Sequence, residues 1–197
     1  MKRGILIVMA RAPRFGAVKT RLARDIGRLN AWRFYRTTLF ETVRRLARNT
    51  PWQTVLQVTP DRERSRRRQW PGRAQTLPQG RGDLGARMER GLTGFPRGIP
   101  VVLIGSDIPD VTDVHIRKAF NALGQADVVF GQASDGGYWL VGFANRRPMR
   151  RPFKTVRWSG PQALHDTCAN LGHRRIAFVD ELSDVDDGES YRLARKL

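Results

Sequence analysis

Asp107 closes the segment Val101-Val102-Leu103-Ile104-Gly105-Ser106-Asp107-Ile108-Pro109, where four apolar residues run into a Gly-Ser-Asp turn and a proline. A carboxylate just past the end of a buried strand is placed to hold a hard divalent cation. The same residue type in the same place can instead cap the following helix. A second group follows the first apolar run, in Ala10-Arg11-Ala12-Pro13-Arg14-Phe15-Gly16-Ala17-Val18-Lys19-Thr20-Arg21-Leu22. Loop amides and a helix N-terminus attract phosphate, and Arg11, Lys19 and Arg21 could neutralise it. The glycine pattern and the Gly-Lys-Ser/Thr ending of a Walker loop are missing. A solvated basic loop is the plain alternative. The third group is Asp180 to Glu189, an acidic patch in a basic chain. Clustered carboxylates repel one another unless they are solvated or joined by a cation. Asp107 and this patch are therefore candidates for opposite sides of one metal. A metal beside a cationic clamp is the equipment of polyphosphate chemistry, where positioning and charge neutralisation do most of the work. No Ser-His-Asp order, Cys-His pair or zinc spacing competes. His115, His165 and His173 read as surface residues, and Cys168 as a small apolar residue on a helix.

Strands must carry these groups. Ile5 to Met9, Thr54 to Val58, Val101 to Ile104, Asp127 to Gly131 and Ile176 to Val179 read as strands, with Ala74 to Leu77 as a short further one. Ala31 to Arg48 is the clearest helical pattern, with Asn30 as candidate N-cap and Pro51 just beyond its end. Asp61 to Gln69 holds five arginines and reads as an exposed short helix. Asp83 can cap a helix running to about Phe95, and the glycines around it allow close backbone approach to a ligand. A helix follows from about Asp113 to Leu123. Ser134 to Gly142 reads as a tight turn leading into a strand. Arg146 to Arg151 is a basic loop, and Trp158-Ser159-Gly160-Pro161 starts a helix with Ser159 or Gly160 as cap. Strands alternating with helices predict an α/β single domain across 1–197, a mostly parallel sheet flanked by helices.

Composition sets the outer bounds. With 197 residues, 40% hydrophobic and 27% charged, the chain can bury a substantial core. It carries 36 Lys+Arg against 18 Asp+Glu, a formal +18. Such a charge raises the local concentration of phosphate-bearing partners, nucleic acid included. The arginines are scattered through every element rather than gathered on one face, so a nucleic-acid role stays open without specific support. One cysteine excludes an intramolecular disulfide and fits a reducing compartment. Arg11 ends the first apolar run too early for a secretory segment, and no run approaches a membrane span, so a cytoplasmic location is expected.

In order and combination, several motifs carry a resemblance: Ala10-Arg11-Ala12-Pro13 with Lys19-Thr20-Arg21-Leu22, Gly82-Asp83-Leu84-Gly85, Leu103 to Pro109, Asp135-Gly136-Gly137-Tyr138, Trp158-Ser159 and Asp184-Val185-Asp186. The chain resembles a bacterial family of short glycosyltransferase-A-fold proteins similar to phospholactate guanylyltransferase, within the nucleotide-diphospho-sugar transferase superfamily. The resemblance runs from Ile5 to about Glu189. It implies a GT-A fold and Mg²⁺ or Mn²⁺ held by Asp107 and Asp186. It implies a nucleotide-binding segment of Ala10, Arg11, Lys19 and Arg21, with Lys19, Arg21 and Asp107 as catalytic residues. Gly82, Asp83, Leu84 and Gly85 match the region that contacts the nucleobase. Asp135, Gly136, Gly137, Tyr138 and Trp158 match the acceptor side. After Asp186 the family continues Thr-Pro-Glu-Asp, whereas this chain has Asp187-Gly188-Glu189-Ser190, so Asp184 or Asp187 could replace Asp186.

These features imply a metal-dependent transferase. One form is nucleotidyl transfer from a nucleoside triphosphate to a small phosphorylated acceptor; the other is glycosyl transfer from a nucleotide sugar to a small acceptor. The alternatives are a non-catalytic polyanion- or RNA-binding module and a degenerate GT-A protein.

Overall fold

The computed structural model describes residues 4–72 and 74–194. The basic start at 1–3 lies outside them. Apolar runs build the centre: β1 (Ile5–Arg11), β2 (Gln53–Thr59) and β4 (Val101–Ile104). Every residue of β4 is buried, as a strand covered on both faces requires. Among the described residues seven strands form one sheet in the order β3-β2-β1-β4-β6-β5-β7, completed by β3 (Gln75–Pro78), β5 (Val128–Gln132), β6 (Tyr138–Phe143) and β7 (Ile176–Val179). Neighbours run parallel except β6, which is antiparallel to β4 and β5.

Parallel neighbours need crossover connections; helices supply them except between β2 and β3, where only short 3₁₀ turns intervene. The helices are α1 (Leu22–Ile26), α2 (Arg28–Ala47), α3 (Leu84–Thr93), α4 (Asp113–Ala122) and α5 (Ala163–Asn170); α6 (Gly188–Ala194) follows β7. The period of two in β1 sorts the layers. Leu6 and Val8 pack with Tyr35 and Leu39 of α2 and Ile116 of α4, while Ile5 and Ile7 pack with Met88 and Leu92 of α3 and Ala163 of α5. Helices thus cover both faces, and this is the α/β architecture expected from the strand–helix alternation. No helix of the described residues is long and apolar enough to cross a membrane.

Local structure departs from expectation where a special backbone or an unforeseen partner intervenes. Helix α2 starts at Arg28 because Gly27, at φ 83°, divides it from α1; Asn30 lies inside it and donates to Ile26 O at 2.9 Å. Asp61–Ser65 and Arg67–Gln69 are two 3₁₀ turns rather than a helix. Their Glu63 is fully buried and ion-paired to Arg14, so the segment is more than a solvated face. Helix α5 begins at Ala163 rather than beside Ser159, whose φ of 62° is not helical. His115 is not a surface residue. It is half-buried, its Nδ1 accepts from Thr112 N at 3.0 Å, and its ring stands edge-on to Trp139. Cys168 sits half-buried on α5, against the core on that side of the sheet.

Candidate active site

Asp107 does not cap α4. Thr112 and His115 form a capping box there, which leaves the Asp107 carboxylate free to face the ends of β1 and β4. A cleft of ≈ 520 Å³ opens at these carboxyl ends, the place where open α/β sheets bind ligands. Ala10, Arg11, Lys19, Arg21, Leu84, Asp107, Tyr138 and Asp186 all line it.

The acidic tail reaches Asp107 through the alternation of extended chain. Val185 N donates to Asp107 O at 3.3 Å, and the Val185 side chain is buried with Leu22 and Ala31. Its neighbours therefore point the other way. Carboxylate oxygens of Asp107, Asp184 and Asp186 lie within 4.8 Å of one another. Asp187 is turned elsewhere: its Oδ1 accepts from Ser190 N at 2.9 Å and Ser190 Oγ at 2.7 Å at the start of α6. Gly188 N donates to Asp25 Oδ2 at 2.7 Å, and a Cβ at Gly188 would stand 2.8 Å from Asp25 Cβ. That close approach ties the tail to α1. Three hard oxygen donors in one nest fit Mg²⁺ or Mn²⁺.

Lys19 occupies the middle of this nest. Its Nζ lies 2.6 Å from Asp107 Oδ2 and 2.6 Å from Asp186 Oδ1, with the side chain only 6% exposed. Burial lowers the ammonium pKa, but the Asp107 and Asp186 charges more than offset it, so the pKa lies above the ordinary lysine value. Lys19 also has φ 47°, a left-handed backbone uncommon for a non-glycine residue, which Asn49, Asn145, Arg151, Thr155 and Ser159 share among the described residues. Arg21 stays exposed, 3.8 Å from Asp186. Burial, then the neighbouring Asp107 and Asp186, pushes the Asp184 carboxyl up to about 6.

Tyr35 fixes the loop that carries these cations. Its hydroxyl donates to Arg11 O at 2.9 Å, accepts from Arg11 N at 2.9 Å and lies 3.2 Å from Ser106 Oγ, next to Asp107. Burial pushes this phenol up to about 12, so it acts as a neutral clamp. Trp32 Nε1 donates to Pro13 O at 2.7 Å, which pins the same loop to α2. Across the cleft, Gln79 Nε2 donates to Ala10 O at 3.3 Å and Gln57 O at 3.0 Å.

The other expected site residues make the following contacts. Asp83 caps α3 through Ala86 N at 2.8 Å, and Gly82 O accepts from Arg87 Nε at 2.9 Å. Gly85 is small because a Cβ there would meet Phe153 Cβ at 2.7 Å and Trp158 Cζ2 at 3.0 Å. Among the described residues, only Leu84 of that segment lines the cleft, joined by Arg87 and Met88. Of the residues expected on the acceptor side, Tyr138 lines it, while Asp135 accepts from Gly137 N at 2.9 Å within its own turn. Gly136 has φ 82° against Pro161, and Trp158 packs on Phe153 and Tyr138. Gly82, Asp83, Gly85, Asp135, Gly136, Gly137 and Trp158 are not among the residues that line the cleft. The sequence reading missed Tyr35, Gln79, Arg87 and Ser106. Tyr35 sits at the right helical spacing for the core face, but nothing local marks it as a loop clamp. Gln79 does stand in a glycine-rich segment, a usable signal.

The sheet order, the reversed β6 and the cleft at the strand ends define a nucleotide-diphospho-sugar transferase fold, and solved structures agree. A protein of Desulfovibrio desulfuricans G20, provisionally named a nucleotide-diphospho-sugar transferase, superposes with a TM-score of 0.86 at 26% identity, covering 100% of this chain and 95% of that one. The 4-diphosphocytidyl-2C-methyl-D-erythritol synthase of Anaerococcus prevotii DSM 20548 gives 0.62 at 12% identity, with 100% and 98% covered. Rv0371c of Mycobacterium tuberculosis H37Rv, in complex with manganese, gives 0.52 at 17% identity, with 96% and 97% covered. The profile of DUF2064, described as "Uncharacterized protein conserved in bacteria", matches residues 42–160, and the chain belongs to that family. The match includes Asp107 but neither Lys19 nor Asp186. No curated protein matches the sequence.

Proposed function

We propose that the protein is a divalent-cation-dependent nucleotidyltransferase that joins the nucleotide of a nucleoside triphosphate to a small phosphorylated acceptor and releases pyrophosphate. The observation that carries this reading is the pairing of Lys19 with Asp107 and Asp186 at the carboxyl ends of β1 and β4. Asp107 and Asp186, with Asp184 beside them, would hold Mg²⁺ or Mn²⁺. When bound, the cation would neutralise phosphate charge that three carboxylates alone would repel.

The chain's own groups supply the rest. In the transfer an acceptor phosphate oxygen forms a bond to the α-phosphorus. The bond from that phosphorus to the bridging oxygen breaks, and its electron pair leaves with pyrophosphate. Lys19, Arg11 and Arg21 are the groups near enough to neutralise the charge gathering on that leaving group. Leu84, exposed at the start of α3, and Met88 offer an apolar wall to the nucleobase. Tyr138 faces the cleft from the acceptor side.

A glycosyl donor is the second reading, favoured by the likeness to the D. desulfuricans protein. Nucleoside triphosphates and nucleotide sugars, each with Mn²⁺, Mg²⁺ or EDTA, separate the two in a thermal-shift panel. A ligand at about a hundred times its dissociation constant adds roughly 2.7 kcal/mol of stability. Stabilisation by one triphosphate that requires the cation, with pyrophosphate released on adding phosphorylated acceptors, is the expected result. A shift with nucleotide sugars alone overturns nucleotidyl transfer. A response to long polyanions only, lost as salt rises, marks a binding module instead.

A further inference from the structure

We propose that Lys19 is the resident cation of the carboxylate nest and that a divalent ion enters by displacing it, which frees the ammonium for the phosphates of the incoming nucleotide. This inference rests on the metal-dependent reading above. An ammonium within 2.6 Å of both Asp107 Oδ2 and Asp186 Oδ1 contacts the oxygens that Mg²⁺ or Mn²⁺ needs. Nζ and a metal ion cannot share that position.

Charge decides the direction of the exchange. Lys19 brings one positive charge to a nest of three carboxyl groups, whereas a divalent ion brings two. The buried side chain and its two 2.6 Å contacts show that the fold packs the lysine into the nest. A lysine's flexible four-carbon stem lets its charge swing to a new anion. Arg21, exposed and 3.8 Å from Asp186, is free to follow it. Cation and nucleotide then favour each other's binding through one side chain: the ion evicts Lys19, and the phosphates give it a new partner. The device also offsets part of the nest's negative charge before substrate arrives.

Mn²⁺ binding without nucleotide, followed through the electron paramagnetic resonance signal of free Mn²⁺, tests this in wild type, Lys19→Met and Asp107→Asn. Removing the competitor should tighten Mn²⁺ binding at least tenfold in Lys19→Met, and Asp107→Asn should lose it. Equal or weaker binding by Lys19→Met, with Asp107→Asn still defective, overturns the exchange and leaves the metal site standing. Absence of binding in both wild type and Lys19→Met, or normal binding by Asp107→Asn, overturns the metal reading and the exchange with it. A wild-type measurement covers the case of a misfolded variant. Acetylation of Lys19 by an N-hydroxysuccinimide ester, read by mass spectrometry against the exposed Lys154, should rise several-fold when Mn²⁺ is added. Unchanged labelling of Lys19 overturns the proposal.

Discussion

Asp107 and Asp135 are the same residue type in similar places, each in the turn that leaves a strand on the carboxyl side of the sheet, and they do different work. Asp135 spends its carboxylate on the amide of Gly137, two residues away. Asp107 makes no such local bond to its own helix; its carboxylate pairs with Lys19, and its backbone carbonyl accepts from Val185 in the acidic tail that follows β7. Asp135 is satisfied within its own turn, although its charge still helps to raise the Asp184 carboxyl. A carboxylate held open by a separate cap, here Thr112 with His115, stays available for chemistry.

The contrast is broken most directly at Asp107. Asp107→Ala should abolish metal-dependent nucleotide binding, so that the thermal shift of about 2.7 kcal/mol expected at saturating ligand disappears. Equal affinity with and without Mg²⁺ in both proteins would show that the two aspartates do not differ. Acidity should sharpen the same difference. The Asp184 carboxyl is raised to about 6 in the folded protein from an ordinary 3.8. Its contribution to stability without metal is full below the ordinary value and is lost as pH rises through about 6. A cation competes with that proton, so Mn²⁺ affinity should fall about tenfold per pH unit below about 6 and level off above it. A flat profile from pH 5 to 8, set by titration over roughly that range, would remove Asp184 from the nest.

Effects on the supporting side should appear as stability. Gly136→Ala places a Cβ at φ 82° and 2.4 Å from Pro161 O, for a cost of about 1–3 kcal/mol in chemical denaturation. Tyr35→Phe leaves the Arg11 amide without its acceptor and should cost about 1–2 kcal/mol, with weaker nucleotide binding as the loop loosens. Asp135→Ala should be the mildest, about 1 kcal/mol or less, with metal dependence of nucleotide binding intact. Loss of that dependence in Asp135→Ala would place the two aspartates in one functional group.

The sheet was legible because its strands are short apolar runs and its helices have one apolar face. Ile176 to Val179 was read with the observed bounds, and β4 likewise. Boundaries slipped where one residue set the backbone, as at Gly27 and Ser159. Within the site, Lys19, Asp107 and the Asp184-Val185-Asp186 triplet could be picked out by residue type. What could not be read was which aspartates turn inward, since that follows from the burial of Val185 beneath α1 and α2. Tyr35 was invisible for a similar reason: its hydroxyl meets the backbone of Arg11 only once α2 has packed on β1. Motif resemblance places Gly85 and Trp158 at the ligand; the packing adds that each is fitted to the other.

The reversed strand β6 bears on how this scaffold can diversify. Because it runs against β4 and β5, the turn at 133–137 that feeds it projects from the same rim as the cleft. Residues added to that turn would lengthen the rim while leaving the sheet ladder untouched, as insertions at exposed loop tips generally do. The fold therefore offers, beside the cleft, an expandable hairpin whose length can change without disturbing the sheet.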